Sequence, residues 1–94
     1  MIVTFYIIKG AIMDIGKYAN LLASTIKDAI EQSGKSMGEV AQCAGIPWST
    51  FFRRLNQSDR YPFTVSDVVA ISEVLDIDFL QLMKEAERRY KLAA

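Results

Sequence analysis

SMGEVAQCAGIPWSTFFRRLN, residues Ser36 to Asn56, carries two helix starts with one helix stop between them. SMGE has the pattern of a capping box, in which the Ser36 hydroxyl satisfies the Glu39 amide and the Glu39 carboxylate reaches back to the Ser36 amide. A short helix is therefore predicted from Ser36. It has room for little more than two turns before Gly45, a residue that readily takes the left-handed conformation at a helix end. Pro47 fits the first turn of the next helix, where its missing amide is not needed, and that helix is predicted from about Pro47 to Asn56.

Two short helices joined by a tight glycine turn form a helix-turn-helix unit, whose second helix can enter the DNA major groove. The geometry is demanding about residue type. Ala41 sits where the helices cross closely and a larger side chain would push them apart; Gly45 turns the chain; Ile46, Phe51 and Leu55 point into the shared core. At about 100° per residue, Phe51 and Leu55 share one side of the second helix with Trp48 near its edge, and Ser49, Arg53 and Asn56 lie opposite. Phe52 and Trp48 fall on one flank, and Thr50, Arg54 and Gln57 on the other. Phe51 is explained by the core, which leaves Trp48 and Phe52 as an aromatic surplus beside two arginines.

Working outward, Asp14 to Gly34 shows Tyr18, Leu21, Leu22, Ile26, Ala29 and Ile30 at helical spacing, with Lys17, Lys27, Asp28 and Glu31 turned away. After Asn56, NQSDRYP is a polar turn-forming loop. Thr64 with Asp67 begins a fourth helix carrying Val68, Val69, Ile71, Val74 and Leu75 inward. Asp78 caps a fifth with Phe79, Leu80, Leu82 and Met83 on its apolar side. Ahead of all this, residues 1–13 form an apolar extension in which IVTFYII reads as a short strand, and Met13–Asp14 would also make a plausible beginning. The closing KLAA, Lys91 to Ala94, resembles a cloning-vector junction. The expectation is a compact all-α domain of five helices over residues 14–90.

The 94 residues hold 11 basic and 11 acidic side chains, so any polyanion-binding surface must come from local clustering. Such clustering exists. Lys35, Arg53, Arg54 and Arg60 outnumber Glu39 and Asp59 between residues 35 and 63, whereas six acids face Lys84 alone between residues 64 and 87. With no histidine and a single cysteine, the chain offers no imidazole base, no intramolecular disulfide and no zinc-ligand spacing. An enzyme is not expected, nor a metal or other cofactor, and Cys43 reads as a small interior or semi-buried residue. The apolar run Phe5 to Ile8 is far short of the roughly 20 residues that cross a bilayer. A cytoplasmic protein without a membrane partner is expected.

In these residues the chain resembles the lambda-repressor and Cro-like (XRE) DNA-binding family. SMGEVAQCAGIPWSTFFRRLN is similar to its helix-turn-helix, and YPFTVSDVVAISEVLDIDFLQL to its fourth and fifth helices. The likeness spans roughly Tyr18 to Leu82. Pro47 stands where the family usually has a Ser or Thr cap, Asp76 where a Gly is common, and Met37 where a Gln often holds a phosphate. The resemblance implies a lambda-repressor-like five-helix fold and a role as a transcriptional regulator of the phage or mobile-element repressor type, acting by occupying a double-stranded DNA operator. It implies base contacts from Trp48, Ser49, Phe52 and Arg53. It also implies backbone contacts from Ser36, Thr50, Arg54, Asn56, Arg60 and Tyr61.

Arg53 has the chemistry for a bidentate pair with guanine O6 and N7, and Trp48 or Phe52 for contact with thymine methyls. Outside such a motif the two arginines would read as a solvated helix face, and Trp48 and Phe52 serve equally well as packing against the first helix or the loop. Few basic residues imply weak binding by one copy, so a homodimer is expected, at least on DNA. The N-terminal segment or the stripe Phe79, Leu82, Met83 and Tyr90 would join the copies. No small-molecule ligand is evident. The competing reading is a helix-turn-helix protein-interaction module, of antitoxin or antirepressor type, that uses the aromatic face of the same helix.

Overall fold

Each helix begins and ends where the chain supplies a cap. The computed structural model describes residues 14–93, which form α1 (Ile15–Ser33), α2 (Met37–Ala44), α3 (Trp48–Asn56), α4 (Val65–Val74) and α5 (Phe79–Ala93). The Asp14 side chain accepts the Lys17 amide at 3.0 Å, and Gly34, at φ 80°, closes α1. At Thr64 the capping box is complete: the hydroxyl accepts the Asp67 amide and the Asp67 carboxylate accepts the Thr64 amide. Asp76 takes the left-handed conformation (φ 57°) after α4, and the Ile77 amide donates to Ser72 at 2.9 Å. Asp78 then accepts the Leu80 amide at the start of α5.

Two caps differ from expectation. At Ser36 only half of the box forms: the hydroxyl accepts the Glu39 amide at 3.1 Å, while Glu39 stays exposed, since a hydrated carboxylate gains little from one exposed amide. Pro47 precedes α3 instead of opening it, because its ψ of 141° is extended, and its carbonyl accepts the Phe51 amide at 2.9 Å.

The helices pack as an all-helical body, with no strand among the described residues. α1 lies along α5, α2 against α4, and α3 crosses α1. The core joins Leu22, Ile26 and Ile30 of α1, Val40 and Ala41 of α2, Phe51 of α3, Val68 and Ile71 of α4, and Leu82 and Ala86 of α5. Burying each large apolar side chain contributes roughly 1.5–3 kcal/mol. Thr25 and Ser72 share this interior because their hydroxyls donate to carbonyls of their own helices, at Leu21 and Val69.

Helix geometry corrects three burial expectations. Val69 is exposed because Val68, Ile71 and Leu75 set the inward stripe of α4, and a residue one step from Val68 rotates out. Leu80 is 60 % exposed, since the inward line of α5 runs through Leu82 and Ala86 with Phe79 and Met83 beside it. Cys43 is exposed; α2 turns Met37, Val40, Ala41 and Ala44 inward and leaves Cys43 on its flank.

The last helix runs through Ala93 and is tied to the first. Tyr90 packs on Tyr18 at 5.3 Å between ring centroids, and its hydroxyl accepts the Asp14 amide at 2.8 Å. Lys17 reaches the Ala93 carbonyl, and Arg89 bridges Glu85 to Asp28 of α1, so Lys17 and Asp28 turn toward α5 instead of away. Leu82 is core, Phe79 and Met83 pack on it, and Tyr90 is tied to α1, so the stripe considered for joining two copies is spent within one chain. The other joining segment, and the strand read in it, lie outside the described residues. Burial, then the nearby Glu87 charge, raises the Tyr18 pKa. Hydrogen bonds from Arg88 and then Arg89 hold the Glu85 carboxyl down at about 2.

Candidate nucleic-acid interface

The junction between α2 and α3 is closed by two backbone bonds. With Gly45 at φ 74°, its amide donates to Gln42 at 3.1 Å and the Ile46 amide to Ala41 at 2.9 Å. This is the Schellman arrangement, completed by apolar contact between the residues at its two ends. Those residues are Ala41, 1 % exposed, and Ile46, also buried. Phe51 then fixes the rotation of α3: it is fully buried, edge-on to Phe63 at 5.9 Å and stacked with Trp48 at 6.1 Å. Leu55, one turn on, is half-buried against the same core. With Phe51 locked inward, the opposite face of α3 must point to solvent.

That face carries Ser49, Phe52, Arg53 and Asn56, all exposed, with Trp48 at its edge. Two clusters form on it. Trp48 and Phe52, 51 % and 54 % exposed, lie 5.7 Å apart as an aromatic pair with most of its flat surface in water. Beside them the Arg53 guanidinium sits over the Tyr61 ring at 4.9 Å, and Arg60 lies 6.0 Å from the same ring. Among the described residues, the ion pairs include neither Arg53, Arg60 nor Lys35. Their positive charge is available to a ligand.

The loop that carries Arg60 and Tyr61 is pinned at several points. The Gln57 carbonyl accepts both the Arg60 and the Tyr61 amides, at 3.1 and 2.8 Å. Ser58 is buried and its hydroxyl bonds Asn20 of α1 at 3.1 Å, while Phe63 is buried against Phe51. Ser58, Phe63 and Asp67 were not singled out as site supports by the sequence reading. Phe63 carried an apolar signal inside a polar loop; Ser58 carried none.

Other residues matched to the family divide differently. Arg54 turns away from the aromatic pair and forms an ion pair with Asp67, the carboxylate that also completes the Thr64 cap. Thr50 is half-buried. The Ser36 hydroxyl is taken by the Glu39 amide, and the Asn56 side-chain amide donates to the Phe52 carbonyl at 2.9 Å. Elsewhere, a groove of about 460 Å³ between α1 and α5 is lined by Asp28, Glu85 and Arg89 among others, and by no residue of α2 or α3.

The arrangement offers forked donors, flat apolar surface and a small hydroxyl on one convex helix face. Those are the groups that read base edges and thymine methyls in a major groove. Comparison with known proteins gives no match among family models, curated proteins or solved structures. The functional reading therefore stands on the residues and their geometry.

Proposed function

We propose that this chain is a sequence-specific DNA-binding transcriptional regulator of lambda-repressor-like fold, with α3 as the recognition helix. The observation that carries the reading is the exposed face of α3. A helix held by buried Phe51 and a left-handed Gly45 turn presents Trp48, Ser49, Phe52 and Arg53 together, with Arg53 uncommitted to any carboxylate. Arg53 donates to guanine, Trp48 and Phe52 cover thymine methyls, and Ser49 makes a small polar contact beside them. Arg60, Tyr61 and Asn56 face the sugar-phosphate backbone. Arg54, engaged by Asp67, braces α3 from behind instead of touching phosphate.

Regulation of the repressor or Cro kind follows from occupying an operator and excluding polymerase. Two copies on a two-fold site, with half-sites about one helical turn apart, make up for the few charges of one. The test is selection from random duplex DNA by the purified protein at moderate salt, with sequencing of what is retained. An inverted repeat with a guanine in each half-site is expected; no enrichment by folded protein sinks the reading.

One observation favours a second reading, a protein-interaction module. Trp48 and Phe52 leave about half of their surface in water, and paired aromatics are frequent anchors of protein interfaces. Arg53→Ala separates the two, because it abolishes sequence preference under the first reading and leaves partner binding nearly unchanged under the second.

A further inference from the structure

Arg53 and Tyr61 lie on different elements, yet the guanidinium stands 4.9 Å from the ring centroid. An exposed arginine ordinarily samples many rotamers, and each contact it makes must overcome the entropy of ordering them. Here the ring is itself held: the Tyr61 amide bonds the Gln57 carbonyl, Ser58 ties the loop to α1, and Phe63 anchors its far end under Phe51. Phe51 in turn fixes α3 and so the Cα of Arg53. Both partners of the stack therefore hang from the same buried aromatic pair.

We propose that Tyr61 is a specificity-determining positioning residue. Its ring presets the Arg53 guanidinium in the plane from which the fork meets a guanine edge, and Arg60 beside the same ring meets the adjoining phosphate. The inference rests on the DNA-binding reading and goes beyond it, since it moves Tyr61 from a backbone contact to a determinant of base choice. The ring supplies the effect and the hydroxyl does not. Preordering raises affinity for a site with guanine under Arg53 and leaves sequence-independent binding, which depends on charge number, untouched.

The test uses the full chain as wild type, Tyr61→Phe and Tyr61→Leu, each matched for melting temperature. Affinities are measured for a duplex from the random-DNA selection and for the same duplex with its half-site guanine replaced. Tyr61→Leu is expected to lower the ratio of the two affinities about two- to five-fold per half-site, the range of an exposed cation–π contact. Tyr61→Phe should keep the ratio, and neither variant should change binding to unrelated duplex. Equal ratios for wild type and Tyr61→Leu overturn the proposal.

A second readout needs no DNA: in the free protein the Arg53 side-chain protons should show an upfield ring shift that survives Tyr61→Phe and vanishes in Tyr61→Leu. Its absence in the wild type overturns the proposal even if the duplex is bound specifically. A ring shift with no duplex selected sinks the DNA reading and the base-choice role with it, leaving only the contact.

Discussion

Asp67 holds together two things that the function needs: the start of α4 and the back of α3. Its carboxylate accepts the Thr64 amide at 2.9 Å and pairs with Arg54, and the two side chains keep 12 % and 28 % of their surface in water. A pair of that exposure lies between a surface ion pair, worth about 1 kcal/mol or less, and a buried one, whose disruption costs roughly 3–5 kcal/mol; we take about 1–2 kcal/mol. The cap bond adds about 1 kcal/mol. Asp67→Ala should therefore cost about 2–3 kcal/mol, a fall of roughly 10–20 °C in melting temperature for a domain of this size. Arg54→Ala should cost about 1–2 kcal/mol, and the double variant should be more stable than the sum of the singles implies by a similar amount.

Urea unfolding followed by circular dichroism gives all three values from one linear extrapolation. Costs that add to within about 0.3 kcal/mol would refute the brace, because independent sites add. A DNA titration supplies the functional arm. If Arg54 is a brace, Arg54→Ala leaves the slope of log affinity against log salt unchanged; a slope shallower by about 0.9 per subunit would place Arg54 on a phosphate instead.

Ala41→Leu should destabilise by about 1–3 kcal/mol through overpacking at the α2–α3 crossing, read by the same urea melts; a neutral result would mean the crossing is loose. Asp76→Gly should stabilise by up to about 1 kcal/mol, because φ 57° strains any residue with a Cβ; no gain in melting temperature contradicts this. The Glu85 carboxyl, lowered to about 2 from an ordinary 4.5, contributes stability that is complete above about 4.5 and lost as pH falls through about 2. Thermal melts of Glu85→Gln should therefore converge on wild type as the pH drops through that window, and curves that stay parallel would exclude the link. With Lys35 and Arg60 as the uncommitted cations beside Arg53, the salt slope of DNA binding should be about −2 per subunit, measured by titration at several salt concentrations; a slope near −8 for a dimer would require contacts from elsewhere.

The helix boundaries were legible because they rest on local chemistry. Asp14, Ser36, Thr64 and Asp78 cap where hydroxyl or carboxylate acceptors precede apolar stripes, and Gly34, Gly45 and Asp76 all take positive φ. Burial was legible where one stripe dominates, as in α3, and misread in α4 and α5. There Val69 and Leu80 are as apolar as their neighbours, and only the packing partner decides which stripe faces in. The wheel of α3 correctly put Phe51 inward and Trp48 and Phe52 on a flank. It could not see that Arg54 meets Asp67 or that Arg53 meets Tyr61, since both contacts join residues on separate elements brought together by the fold. Ser58 was invisible for the same reason: nothing beside it in the sequence shows that Asn20 lies opposite.

The division of labour between the two arginines bears on how a chain of zero formal charge could choose a DNA site. Sequence-independent affinity grows with the number of phosphates neutralised, so a protein with few free cations has little of it to subtract from its specific binding. Engaging Arg54 with Asp67 lowers that background further, while setting Arg53 on an aromatic ring keeps one cation available for a base. Trp48 and Phe52 add contact area that carries no charge and therefore no salt dependence. On this reading the aromatic surplus of α3 replaces phosphate contacts as a source of affinity, and it does so only where the groove offers methyl groups to cover. Affinity and base choice then come from the same side chains, and a second copy on the other half-site squares the discrimination instead of merely adding charge.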